Sequence, residues 1–168
     1  MISTFEEAVK GCYNDNLKIQ FQSVRYLRKL LSTENEPPIH DVIQSGVITK
    51  LVSMLDYSGS QILEYIKFEA SWVLLNVSSG THKQVESIII CGAIPKFINL
   101  FSSTAEQTQI NAVWAIGNCC GDSPEFRDIV LNEKNLFQQF IPLCNLSLSI
   151  DIQRNVAWTL SNLARGNR

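Results

Sequence analysis

The sequence predicts an all-α protein, a solenoid of about four stacked three-helix repeats, and three observations predict it. First, Ala70-Ser71-Trp72-Val73-Leu74-Leu75-Asn76, Ala112-Val113-Trp114-Ala115-Ile116-Gly117-Asn118 and Val156-Ala157-Trp158-Thr159-Leu160-Ser161-Asn162 share one frame, W-x-x-x-N. All three tryptophans of the chain lie in it. Second, the tryptophans recur about every 43 residues, inside the range of two- or three-helix solenoid repeats. Third, a glycine follows each copy, Gly80, Gly121 and Gly166, where a helix ends well on a left-handed residue.

Each element follows from local signals. Ser3-Thr4-Phe5-Glu6-Glu7-Ala8 reads as a cap and an acidic first turn, opening a short helix that ends near Asn14-Asp15-Asn16. Leu17 to Leu31 is apolar at Leu17, Phe21, Val24, Leu27, Leu30 and Leu31, the 3-and-4 spacing of an amphipathic helix. Here Phe21 aligns with Phe68, while Arg25 stands at the place of Trp72 and Lys29 at that of Asn76, a pair that reads as a solvated face. After Ser32-Thr33-Glu34-Asn35-Glu36, Pro37-Pro38 breaks the chain. Short helices then reach Gly46 and Leu55, and the first Trp helix spans about residues 62 to 79.

The grammar repeats with a short helix to Gly92, a helix from Ile94 to Phe101 and a second Trp helix from about Ala105 to Cys120. Asp122-Ser123-Pro124-Glu125 then starts a helix, with Asp122 as the expected cap. Leu136 to Leu146 forms the next helix, and Ser149-Ile150-Asp151 opens the third Trp helix. Because no further repeat follows Arg168, the array reads as truncated, with an open apolar end.

Composition narrows the function. A net charge of −2 argues against a general nucleic-acid surface. No apolar run is long enough to span a bilayer, and Met1-Ile2-Ser3-Thr4-Phe5-Glu6-Glu7 lacks the basic start of a signal peptide. The five cysteines, Cys12, Cys91, Cys119, Cys120 and Cys144, sit in apolar helical patterns and read as reduced, buried thiols. No C-x-x-C occurs, His40 and His82 lie in separate repeats, and no acid/base pair, nucleophile with a partner histidine or phosphate loop can be assembled. The chain therefore reads as a binding protein, not an enzyme, with no cofactor and no metal.

On helices, Trp and Asn four residues apart share a face, and stacked repeats turn that face into a ladder. Repeats about 10 Å apart advance by roughly three residues of extended peptide. Asn76, Asn118 and Asn162 could then bond a peptide backbone at regular intervals. Flat indole walls at Trp72, Trp114 and Trp158 suit the stem of a lysine or arginine. Asp122 supplies a carboxylate for its ammonium, and Gly80 an unshielded carbonyl, though capping alone would also account for Asp122. Glu106, Glu125, Asp128 and Asp151 add negative potential.

These residues resemble importin-α (karyopherin-α). The likeness is carried by Trp72 to Gly80-Thr81, by the second Trp frame with Gly121-Asp122-Ser123-Pro124-Glu125-Phe126-Arg127-Asp128, by Trp158 to Leu163, and by Pro37-Pro38-Ile39 with Val42-Ile43-Gln44-Ser45-Gly46. It spans essentially the whole chain. It implies one armadillo-repeat domain over 1–168, a right-handed superhelical solenoid with repeats at roughly 1–35, 36–80, 81–121 and 122–168. Its concave groove would hold lysine-rich nuclear localisation signals in extended form, for protein import into the nucleus.

Carried over by position, Trp72, Trp114 and Trp158 form the lysine slots, Asn76, Asn118, Asn155 and Asn162 line the groove, and Gly80 with Asp122 hold the key lysine. Val85 stands where the family has a threonine, and Asn111 where it has a groove glutamine. The resemblance implies cargo proteins as partners, no nucleic acid or membrane, and residence in cytoplasm and nucleus. The family's basic importin-β-binding segment and its later repeats are not found in this sequence. The alternative is a non-enzymatic armadillo scaffold for another extended partner.

Overall fold

Thr4 and Glu7 begin the fold with a reciprocal cap: Thr4 Oγ1 accepts from the Glu7 amide at 3.2 Å, and the Glu7 carboxylate accepts from the amides of Thr4 at 3.3 Å and Ser3 at 2.9 Å. Those bonds, the one from the Ser3 amide first, hold the Glu7 carboxyl below its ordinary value. The computed structural model describes residues 2–33 and 36–166, and among them the chain forms eleven α-helices, two short 3-10 turns and no strand. It divides into two compact units, Met1–Cys91 and Gly92–Arg168. The expected loop at Glu34-Asn35 and the chain's end at Arg168 lie outside the described residues.

The first unit holds α1 (Phe5–Gly11), α2 (Leu17–Leu31), α3 (Ile39–Gln44), α4 (Val47–Met54), α5 (Gln61–Ser78) and α6 (His82–Ile90). The periodicity of α2 predicts it residue for residue. The first helix is shorter than expected: α1 stops at Gly11, and Asn16 opens α2 instead, its Oδ1 accepting from the Lys18 amide at 3.0 Å. At the centre is α5, packed against α2, α4 and α6. It buries Ile66, Ala70, Val73, Leu74 and Val77 completely, which is why its sequence is apolar on several sides. Each buried Ile, Val or Leu among them stabilises the unit by about 2 kcal/mol.

The second unit holds α7 (Ala93–Asn99), a 3-10 turn at Leu100–Ser102, α8 (Glu106–Asp122), α9 (Pro124–Leu131), α10 (Leu136–Phe140), a second 3-10 turn at Ile141–Cys144 and α11 (Ile150–Leu163). Here α8 is the centre, against α7, α9 and most of all α11. Phe101 and Phe140 meet edge to face at 5.6 Å between centroids in this core. The helix expected from Leu136 to Leu146 is cut at Phe140, because Pro142 has no N–H to continue an α-helical ladder. The helix expected to reach Phe101 likewise tightens into a 3-10 turn after Asn99.

Two expectations are corrected. None of Gly80, Gly121 and Gly166 is left-handed; the left-handed glycines are Gly46, Gly59 and Gly92, of which Gly46 and Gly92 join consecutive short helices. Instead, α8 runs straight through Gly121 to Asp122. The cap of α9 is Ser123, not Asp122: its backbone is extended (φ −151°), its Oγ accepts from the Phe126 amide at 3.2 Å, and Pro124 follows at the first helical position. The buried-thiol reading holds for Cys12, Cys119 and Cys120, whereas Cys91 is only half-buried and Cys144, beside the proline-cut helix, is exposed.

Candidate functional site

In the second unit, α8 carries Trp114, Asn118 and Asp122 at successive i+4 positions, a stripe rising about 12 Å along the helix. Val113 and Ala115, on either side of Trp114, are fully buried, yet Trp114 itself is 46% exposed. The helix thus anchors its core face with small and branched residues and turns an indole outward. Asn118 is half-buried and Asp122 exposed, and each has an interaction partner. Beyond Asp122 lies a small pocket also lined by Arg127 and Arg165, so cations share its surroundings.

Trp158, 41% exposed on α11, lies against α8 at Gly117. A Cβ at Gly117 would fall inside contact distance of the Trp158 ring and of Thr159 Oγ1, so only glycine admits this approach. Thr159 Oγ1 donates to the Val113 carbonyl at 3.0 Å, and Asn162 Nδ2 donates to the Gly117 carbonyl at 3.0 Å. At 3% exposure, Asn162 is a buried strut between α11 and α8, and a Cβ at Gly121 would press on its carboxamide. Asn155 Nδ2 donates to the Asp151 carbonyl at 2.9 Å within its own helix. Asn111, 6% exposed, belongs to the buried side of α8.

In the first unit, α5 repeats the stripe with Trp72 and Asn76, and Gly80 follows its C-terminal end. Trp72 is half-buried, edge-on to Phe68 at 5.6 Å between centroids. Asn76 Nδ2 donates to Ser32 Oγ at 3.3 Å. Gly80 leaves room for Gln84, whose Oε1 accepts from the Thr81 amide at 2.8 Å in the capping box of α6. Val85 is 1% exposed and packs into the core, offering no polar group.

The sequence reading missed two residues at Trp72. Arg28 of α2 lies over its ring, 4.8 Å from the centroid, and its Nε donates to the Glu69 carboxylate at 2.8 Å. Glu69 is 5% exposed, and Arg25 approaches its other oxygen at 3.8 Å. A carboxylate inside an apolar helix demands a cationic partner, and Glu69 was the signal for one. No cluster of metal-ligating side chains occurs among the described residues.

Comparisons bear on this arrangement. The profile of the armadillo/beta-catenin-like repeat matches residues 81–121 and 123–165. The chain is 38% identical over 168 residues to importin subunit alpha-6 of Arabidopsis thaliana, covering 98% of this chain and 30% of that protein. It is 42% identical over 161 residues to importin subunit alpha-3 of the same plant, covering 94% of this chain and 29% of that one. The chain therefore spans under a third of the length of these relatives. A designed armadillo repeat protein of known structure superposes with a TM-score of 0.86 at 23% identity, over 98% of this chain and 66% of its own, a likeness of fold. With its repeats matched by profile, by fold and by these relatives, the chain belongs to the armadillo-repeat family and, within it, to the armadillo-repeat region of the importin-α family.

Proposed function

We propose that this chain is the signal-binding part of a nuclear import adaptor, working in cytoplasm and nucleus, which holds lysine-rich nuclear localisation signals of cargo proteins in extended form. The observation that carries the reading is the outward turn of Trp114 and Trp158, at equivalent places on α8 and α11, from helices whose other faces are packed. Exposed indoles on a rigid helix face suit the aliphatic stem and the charge of lysine or arginine. The importin subunit alpha relatives support the same reading.

Roles within the site divide by burial. Trp114 and Trp158 wall the lysine stems, while the Trp72 ring already carries the Arg28 guanidinium. Asn76 and Asn118, half-buried, bond the peptide backbone. Asn155 and Asn162, already engaged within the second unit, hold the face in place beneath the peptide. In the second unit Asp122 accepts the ammonium of a lysine, while Ser123 supplies the cap of α9; in the first unit the Gly80 carbonyl is an acceptor for a lysine.

The test is a fluorescence titration of the folded chain with a lysine-rich signal peptide and with the same peptide carrying alanine at its key lysine. Saturable binding lost with that lysine is expected. Equal binding of both peptides, or of neither, would instead leave an armadillo scaffold for some other extended partner.

A further inference from the structure

The exposed side of α2 is basic where the other repeats are aromatic. Arg25 stands at the ladder place of Trp72 and Lys29 at that of Asn76. Together with Lys18, Phe21 and Tyr26 they line an open groove of about 490 Å³ in the first unit. Lys18, Arg25 and Lys29 are all exposed, and Arg25 leans over the Phe21 ring at 5.8 Å. The groove lining carries three cationic side chains and no acid, and Glu69, the acid that Arg25 meets, is also held by Arg28. The groove therefore presents surplus positive charge over an aromatic floor.

This groove is joined to the proposed peptide face. Arg25 pairs with Glu69, Glu69 with Arg28, and Arg28 lies over Trp72. The protein has thus placed its own guanidinium on the indole that would otherwise receive a cation from the peptide. A second cation there meets Arg28, and one further along α2 meets Arg25, Lys29 and Lys18. Lysine-rich sequence is therefore disfavoured along α2.

We propose that the α2 groove is a subsite for an acidic stretch of the same bound peptide, with Asp or Glu carboxylates over Arg25, Lys29 and Lys18 and an apolar side chain on Phe21 and Tyr26. The proposal rests on the peptide-binding reading above and narrows its substrate class to signals whose charge changes sign at one flank. Exposed ion pairs are individually weak, so two of them tighten binding about fivefold, and added salt removes the gain.

The experiment compares, on the whole chain, a lysine-rich core peptide, the core with a Glu/Asp-rich flank at one end or the other, and the core with Gln/Asn in place of those acids. Each is titrated against the unchanged protein and against Arg25→Gln/Lys29→Gln, which alters only exposed side chains and is checked for folding by circular dichroism. Expected is a gain of about fivefold from the acidic flank at one end, absent with the neutral flank and absent in the double variant, while core affinity is kept or improved in that variant. An acidic flank without effect at either end, or with the same effect in the double variant, overturns the subsite and leaves the parent reading intact. Failure of the core peptide itself overturns both.

Discussion

Asn162 reaches from α11 to α8 and donates its carboxamide to the Gly117 carbonyl at 3.0 Å, whereas Asn76, its counterpart in the W-x-x-x-N frame, meets only the exposed Ser32 hydroxyl at 3.3 Å. The same letter in the repeat does two jobs. Removing a buried amide donor that spans two helices costs about 1–2 kcal/mol, and removing one bonded to an exposed hydroxyl costs under about 0.5 kcal/mol. Asn162→Ala therefore lowers the urea midpoint clearly, and Asn76→Ala scarcely moves it. Equal losses would show that Asn162 is not a strut.

Gly117→Ala tests the approach of Trp158 to α8. In most helix interiors this change stabilises by about 1 kcal/mol. Here the added methyl meets the Trp158 ring and Thr159 Oγ1, so α11 must shift and the chain loses about 1–3 kcal/mol. Near-ultraviolet circular dichroism of the tryptophans should change with it. A stabilised variant would mean that the Trp158 ring lies elsewhere.

These two positions also mark how far the sequence could be read. Helix spacing, the Trp frame and the all-α class are carried by local periodicity, which needs no knowledge of packing. Which Asn is spent internally depends on which helices meet and how closely, and only Gly117 hinted at it, as a costly glycine inside an otherwise strong helix. Arg28 was hidden for a similar reason. It lies three residues past the ladder place of α2, and it reaches Trp72 only through the packing of α2 on α5. Gly80 and Gly121 differ from the expectation because a C-terminal glycine and a close-packing glycine look alike in sequence.

The thiols should separate by burial. Burial pushes Cys12 and Cys120 up to about 12 from 9.0, and Cys119 higher still, so none of the three offers a thiolate near neutral pH. Iodoacetamide at pH 7.5 is expected to label Cys144 first and those three only on unfolding, as mass spectrometry would read. The same shifts make the protein sensitive to alkali. Above pH 9 the unfolded chain releases these protons while the folded chain keeps them, so stability, full below pH 9, falls as pH rises toward about 12. A urea midpoint flat from pH 8 to 11 would contradict the burial of these thiols.

Asp122 and Ser123 stand side by side, and mutation can divide the observed cap of Ser123 from the proposed lysine contact of Asp122. Ser123 caps α9, so Ser123→Ala costs about 1 kcal/mol of stability and leaves peptide affinity of the folded protein unchanged. Asp122 ends α8 with an exposed carboxylate beside a pocket shared with Arg127 and Arg165. If it receives the lysine ammonium, Asp122→Ala weakens a lysine-rich peptide by about 10- to 100-fold, the worth of a charge-assisted hydrogen bond, while the urea midpoint stays nearly constant. Asp122→Asn, which keeps an acceptor but not the charge, should fall between. The pairing of outcomes decides the matter: a large loss of stability in Asp122→Ala with unchanged affinity would make Asp122 a structural partner of the nearby arginines and move the lysine site elsewhere on the Trp face.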